Sequence, residues 1–257
     1  MRSHTPHGGR HELGQNFLHH RPTIERIVAL VRATEGPILE IGCGDGALTH
    51  PLARLGRDLV ALDLDRRRVS RLRAQLPSVT VRHADALDVP LDRPVVVGNV
   101  PFHLTTPILR RLLRSPGWRH AIVLTQWEVA RKRAGVGGST MMTAQTAPWF
   151  SFGLDQRVPA RHFTPMPSVD GGILTVERRA RPLVPARERA PYEQLVRAVF
   201  TGRGSGLEQI LARASGQPPR VVARALTGAE VAKGALPRDL TPSQWASLWI
   251  ALGRRRV

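Results

Sequence analysis

The chain is short of cysteine, lysine and tyrosine, and it has no long apolar run. Cys43 is the only cysteine, which excludes both an intramolecular disulfide and a thiolate metal cage. No apolar stretch approaches the ~20 residues that a membrane-spanning helix requires. The first thirty residues are rich in His, Gly and Arg and lack the apolar core of a secretion signal. A cytoplasmic, monomeric protein with no membrane partner and no metal is the expectation.

Positive charge is abundant. The formal net charge is +18 and the pI about 11.8, with basic residues spread through both halves of the 257-residue chain, so a polyanionic partner is expected. Lys132 and Lys233 are the only lysines. Arginine forks phosphates and stacks on bases, which suits nucleic acid, but a GC-rich coding bias gives the same ratio. The sign of the charge carries the argument, and the arginine preference does not. The length allows a full core, divided into one large domain or a large and a small one. Residues 1–12, with His4, His7, His11, Gly8 and Gly9, read as a flexible basic arm; the irregular His spacing and the lack of an accompanying carboxylate cluster speak against a metal tract.

Hydrophobic periodicity predicts a helix over 22–33, with Ile24, Ile27, Val28 and Val31 on one face. The strand-like run Ile38-Leu39-Glu40-Ile41 then enters Gly42-Cys43-Gly44-Asp45-Gly46, followed by a helix from about Ala47. Further strands are expected at 59–62, 79–82, 95–98, 121–124, 149–158 and 173–176, with helices between the early ones. The repeated β-then-α order predicts an α/β fold built on a doubly wound parallel sheet. Residues 135–140 read as a mobile glycine-rich loop and 161–170 as a loop stiffened by proline. From about Arg181 only helices are expected, at 191–200, 206–215, 219–227 and 242–252. Gly202, Gly216, Gly228 and Gly253 punctuate them, and Thr241-Pro242-Ser243-Gln244 has the pattern of a capped helix start. The expected division is an arm at 1–12, a catalytic domain at 13–180 and a small helical domain at 181–257.

Four stretches carry chemistry. The glycine turn has its third glycine one residue too early for the dinucleotide pattern. Asp63 ends the second strand about twenty residues after the glycines, where α/β nucleotide sites place a ribose-binding acid, and Asp85 follows the third. Either acid alone could be a cap or loop residue. Together with the turn, they resemble the S-adenosylmethionine site of Rossmann-like methyltransferases, with Gly42 and Gly44 admitting the cofactor, Asp63 and Leu64 at its ribose, and Asp85 and Ala86 at its adenine. The fourth strand ends in Asn99-Val100-Pro101-Phe102. A side-chain amide, a carbonyl aimed by a proline and an aromatic face suit a planar base with an exocyclic amine. Accepting both amine hydrogens on Asn99 and the Val100 carbonyl localises the nitrogen lone pair for methyl transfer. Phe102 is expected to stack on a flipped base and Phe163 to cover its other face, although core packing would also explain Phe163.

Leu13-Gly14-Gln15-Asn16-Phe17-Leu18, Glu40-Ile41-Gly42-x-Gly44-x-Gly46, Asp85, Asn99-Val100-Pro101-Phe102 and Phe163-x-Pro165-x-Pro167-x-Val169-Asp170 together resemble the rRNA adenine N6-methyltransferases. Gln126 to Gly138 is similar to actinobacterial macrolide-lincosamide-streptogramin resistance enzymes, the Erm family. The resemblance implies a methyltransferase acting on one adenosine in the peptidyl-transferase loop of 23S rRNA, before full ribosome assembly. It also implies S-adenosylmethionine as cofactor, with Gln15, Asn16, Leu18 and Asn99 among its contacts, and transfer of one methyl or two. Phe102 stands where many members have Tyr, so no hydroxyl acts there. Arg131, Lys132 and Arg133 are the candidate RNA contacts. A housekeeping small-subunit rRNA dimethyltransferase is the alternative within the family, and a non-catalytic RNA-binding or transcription-factor descendant is the alternative from another class.

Overall fold

The computed structural model describes residues 16–253. The expected arm at 1–12, and Gln15, lie outside the described residues. Strand β1 (Phe17–Leu18) leads into α1 (Arg21–Arg32), which buries Thr23, Ile27, Val28 and Val31. Next come β2 (Ile38–Ile41), α2 (Thr49–Ala53), β3 (Leu59–Asp63), α3 (Arg66–Gln75), β4 (Thr80–His83) and β5 (Val95–Asn99). The chain continues through α4 (Thr105–Arg114), β6 (His120–Gln126), α5 (Trp127–Arg133), α6 (Met141–Thr146), β7 (Phe150–Val158), β8 (Phe163–Thr164) and β9 (Gly171–Arg178). Helices α7 (Arg189–Thr201), α8 (Leu207–Ser215), α9 (Pro219–Gly228) and α10 (Pro242–Leu252) complete it.

Seven strands form one sheet in the order β4-β3-β2-β5-β6-β9-β7, and β1 pairs antiparallel with β8 in a separate two-stranded sheet. The pairings β2–β3, β3–β4, β2–β5 and β5–β6 are all parallel. The central strands β2, β3 and β5 are buried and mostly apolar because both faces are covered, with Glu40 as the exception in β2, whereas edge strand β4 buries only Val81. The chain runs outward from β2 through β3 to β4, then returns to place β5 on the other side of β2. That reversal opens a crevice at the carboxyl ends of β2 and β5, where ligands bind in this architecture. Gly98 lets the two strands close up: a Cβ there would lie 2.3 Å from the Ile41 carbonyl oxygen.

Two compact units divide the described chain. One runs to Val129 and includes Asp155–Thr175; the other comprises Ala130–Leu154 and the chain from Val176 onward. The first holds the core of Ile27, Val31, Ile38, Leu52, Ala61, Leu72, Val95 and Ile122. In the second, the Tyr192 hydroxyl donates to the Ala144 carbonyl at 2.8 Å, and the Tyr192 ring meets those of Trp149 and Trp249 edge-to-face.

Some local expectations change. Helix α6 had no amphipathic signal, being only six residues long; Thr140 caps it, accepting from the Thr143 N–H. Residues 135–140 are tied down, since Ser139 N–H donates to the Arg238 carbonyl at 2.7 Å and Val136 N–H to that of Arg131. Of the four punctuating glycines only Gly216 takes the left-handed cap conformation, at φ 68°. Gly253 is there for space instead, because a Cβ would fall 2.1 Å from the Trp249 ring. The Thr241 cap forms as expected, with the Gln244 side chain accepting from Thr241 N–H at 2.9 Å.

Candidate active site

The loop after β2 has three left-handed residues, Gly42 (φ 71°), Gly44 (φ 53°) and Gly46 (φ 88°), a conformation that costs any residue with a Cβ. Gly46 N–H donates to the Cys43 carbonyl, which turns the chain into α2 two residues later than expected. A Cβ on Gly44 would meet the Phe17 ring at 3.1 Å, and one on Gly46 would meet Leu72 and His50 within 3 Å. Above this loop lies a cavity of about 350 Å³, lined by Leu18, Glu40, Gly42, Gly44, His50 and Asn99 among others. Leu18, Gly42, Gly44 and Asn99 are therefore brought together as expected.

Asp63 is 4% exposed, and its carboxylate is already engaged: one oxygen accepts from Gly44 N–H at 2.7 Å and the other from Asp65 N–H at 2.9 Å. It braces the glycine loop, with lone pairs to spare for a further donor. Asp65 caps α3 through the Arg67 and Arg68 N–H groups. Its Arg68 partner also pairs with Asp45 and lies over the Phe17 ring. Asp85 sits in the turn after β4, accepting from Leu87 N–H at 2.8 Å, with Ala86 beside it; Leu64 is 40% exposed at the end of β3.

Glu40 entered the sequence reading only as part of the Glu40-Ile41-Gly42 motif, with no role of its own assigned. It is 1% exposed on β2, and one of its carboxylate oxygens has no hydrogen-bond partner. Burial pushes its carboxyl up to about 8, the Thr49 hydroxyl opposes this, and the Asp63 charge adds to it. The available signal was an acid inside an otherwise apolar buried strand. Cys43 is buried and its thiol is pushed well above the usual range by that burial, with Glu40 and Asp63 adding to the effect, so it is no nucleophile.

Asn99 ends β5. Its side-chain amide nitrogen donates to the Asn16 carbonyl at 2.7 Å, which turns the amide oxygen into the acceptor that remains. Val100 is buried, its N–H held by the Leu124 carbonyl at 3.0 Å. Pro101 is in extended geometry, and Phe102 opens a short 3-10 turn. Phe163 is 2% exposed, and its ring meets Phe102 edge-to-face, with centroids 6.0 Å apart and planes at 74°. The two rings do not stand as parallel walls in this state. Pairing of Leu18 with Phe163 and of Phe17 with Thr164 ties the segment after Asn16 to the aromatic pair.

Asp170 clasps the loop that carries Phe163. It accepts from Ala160 N–H and from the Arg157 guanidinium, both at 2.8 Å, and its carbonyl takes the Trp127 N–H. The Ala160 bond and the Arg157 pairing hold its carboxyl below the usual range against partial desolvation. Arg131, Lys132 and Arg133 lie on α5 within the second unit; Lys132 is exposed, and Arg133 donates to the Thr140 hydroxyl at 2.7 Å.

The strand order and the cavity at the β2–β5 reversal define the class, that of Rossmann-like methyltransferases. Residues 7–251 match the profile of the family described as ribosomal RNA adenine dimethylase, and the chain belongs to that family. An rRNA adenine N-6-methyltransferase of Corynebacterium diphtheriae is 51% identical over 209 residues, covering 80% of this chain and 83% of that protein. The mycinamicin-resistance protein MyrB of Micromonospora griseorubida is 51% identical over 246 residues, covering 94% of this chain and 78% of its own length. The crystal structure of the 23S rRNA methyltransferase ErmE superposes with a TM-score of 0.84 at 35% identity, over 93% of this chain and all of that one.

Proposed function

We propose that the protein methylates N6 of a specific adenosine in 23S rRNA with S-adenosylmethionine as donor, and so confers resistance to macrolide-type antibiotics. The single observation that carries the chemistry is the Asn99 amide, locked by Asn16 so that its oxygen is the acceptor presented beside the cavity. The name of ErmE supports 23S rRNA as the substrate over small-subunit rRNA, and the name of the mycinamicin-resistance protein MyrB supports a role in antibiotic resistance.

The cavity residues fit the cofactor. Gly42, Gly44 and Gly46 line the cavity with backbone alone, which admits a ligand close to the chain, and the unpartnered Glu40 oxygen suits a cationic or hydrogen-bond-donating group. Leu18, Gly42 and Gly44 would contact the cofactor directly, Asn16 and Gln15 would stand at its methionine end, Asp63 and Leu64 at its ribose, and Asp85 and Ala86 at its adenine. When bound, the cofactor supplies a methyl group on a positively charged sulfur. The protein's part is to prepare the nucleophile. The adenine amine is a weak one because its lone pair is delocalised into the ring. Hydrogen bonds from its two hydrogens to the Asn99 amide oxygen and the Val100 carbonyl draw the nitrogen toward a tetrahedral geometry and localise that pair. Phe102 supplies a stacking face for the unpaired base. For Phe163 to form the second wall, the edge-to-face pair must open as the base enters.

The catalytic set is Asn99, Val100, Pro101, Phe102 and Phe163, with the first unit as its scaffold and the helices after 181 as an RNA-binding element. Arg131, Lys132 and Arg133 hold RNA phosphates. The enzyme acts as a monomer on RNA not yet assembled into ribosomes. Mapping the modified nucleotide by primer extension and mass spectrometry tests the whole reading, since the spectrum also counts methyl groups. A methylated 23S adenosine that disappears in Asn99→Ala supports it. Modification of small-subunit rRNA, or cofactor binding without transfer, overturns it.

A further inference from the structure

The second unit has a cavity of its own, about 510 Å³, that the methylation chemistry does not use. We infer that it is a second RNA subsite, taking a single nucleotide of the substrate with its phosphate on arginine and its base on an aromatic wall. The inference rests on the reading of the protein as an RNA methyltransferase. Its volume lies within the range of about 300–1,000 Å³ typical of sites for compact organic ligands.

Three arginines, Arg133, Arg179 and Arg238, are among the residues that line the cavity, against one acid, Asp239. Two are aimed by neighbours: Arg133 donates to the Thr140 hydroxyl at 2.7 Å and Arg179 to the Ala147 carbonyl at 2.9 Å. Arg238 has an exposed side chain, yet its backbone is fixed by the Ser139 N–H at 2.7 Å. Asp239 neutralises little of this charge. It stands 3.8 Å from Arg238 and spends one oxygen on Leu236 N–H.

Phe152, partly exposed, supplies the accessible face of the wall, with Phe150 and Trp245 buried behind it. Trp245 is 1% exposed, and its indole N–H has no hydrogen-bond partner among the described residues. A buried donor left in this condition is costly, and an acceptor on a bound base or sugar would relieve it. Arginines beside an aromatic face match a nucleotide better than a bare anion, which needs no wall, or an acidic peptide, which needs no aromatic face. The start of α10, at Thr241 and Pro242, also lines the cavity and adds the positive end of an eleven-residue helix.

The test uses the full chain, a 23S rRNA fragment containing the target adenosine, and adenosine monophosphate as a free-nucleotide probe. Arg238→Glu is expected to raise the RNA Kd about tenfold near 0.15 M salt and to reduce the salt slope by about 1. The loss should appear in KM for RNA, while affinity for S-adenosylhomocysteine stays at the wild-type value and reports an intact fold. Phe152→Ala gives a second, uncharged perturbation of the same pocket, and 4-thiouridine-labelled RNA should cross-link to the peptides bearing Phe152 or Trp245. An RNA Kd within twofold of wild type in both variants overturns the inference. So does adenosine monophosphate binding that Arg238→Glu abolishes while RNA affinity is unmoved, because the pocket would then be a free-nucleotide site. Wild-type protein that binds the fragment through this pocket without methylating it refutes the proposed reaction and leaves the subsite standing.

Discussion

Replacing Glu40 by Gln should flatten the dependence of stability on pH. In the folded protein the Glu40 carboxyl is raised to about 8 from an ordinary value of 4.5, chiefly by burial. Between those two values the folded state holds a proton that the unfolded chain has released, so stability falls as pH rises through that window. Taking about 1.4 kcal/mol per unit, the penalty reaches at most about 5 kcal/mol above pH 8. Water penetration and relaxation would reduce that to a few kcal/mol. Gln keeps the shape and removes the titration. Urea unfolding of ligand-free wild type and Glu40→Gln at pH 5, 6.5 and 8 should show the variant gaining on wild type at each step. Parallel profiles for the two proteins would show that Glu40 is ionised at no cost, and would remove the orphaned oxygen as evidence for a cationic ligand.

Three other outcomes follow from the same geometry. Gly46→Ala forces a Cβ into a left-handed residue and against Leu72 at 2.7 Å; thermal unfolding should show a loss of about 2 kcal/mol, with weakened cofactor binding by calorimetry. Asp170→Asn keeps one acceptor but loses the charge that pairs with Arg157. Its cost, about 1 kcal/mol after solvent screening, should be present at neutral pH and be lost progressively only as pH falls below the ordinary carboxylate value of 3.8 and through the lower value of the folded protein, in parallel denaturation curves. Phe102→Ala should cut kcat/KM for RNA by about 10- to 100-fold through lost stacking, whereas Phe102→Tyr should stay near wild type in a methyl-transfer assay.

Much of the framework was legible because parallel strands buried on both faces leave unbroken apolar runs, and Val95-Val96-Val97 or Leu59 to Leu62 can hardly be read otherwise. The glycine turn and Asn99 were legible because their residue types have few alternative uses at a strand end. Contacts made across the sequence were not. Nothing local marks Asp63 as the brace of Gly44, or Asn16 as the group that orients Asn99. Glu40 was read as a motif residue but its unpaired oxygen was not, since periodicity reports which face a residue occupies and says nothing of its partners. Helix α6 was missed because six residues are too few to show a period, and the glycines at 202 and 253 because close packing and left-handed geometry select the same residue.

The two-residue pairing of β1 with β8 has a consequence for the order in which the molecule is completed. The Asn99 amide is oriented by a carbonyl 83 positions earlier in the chain, and that carbonyl is held in place by a strand partner beyond residue 160. Closing loops of that size is entropically slow compared with forming the sheet units between them. The acceptor geometry is therefore completed only when β1 meets β8, and because Leu18 of that same strand also lines the cavity, one short pairing closes the cofactor crevice and aims the base acceptor together.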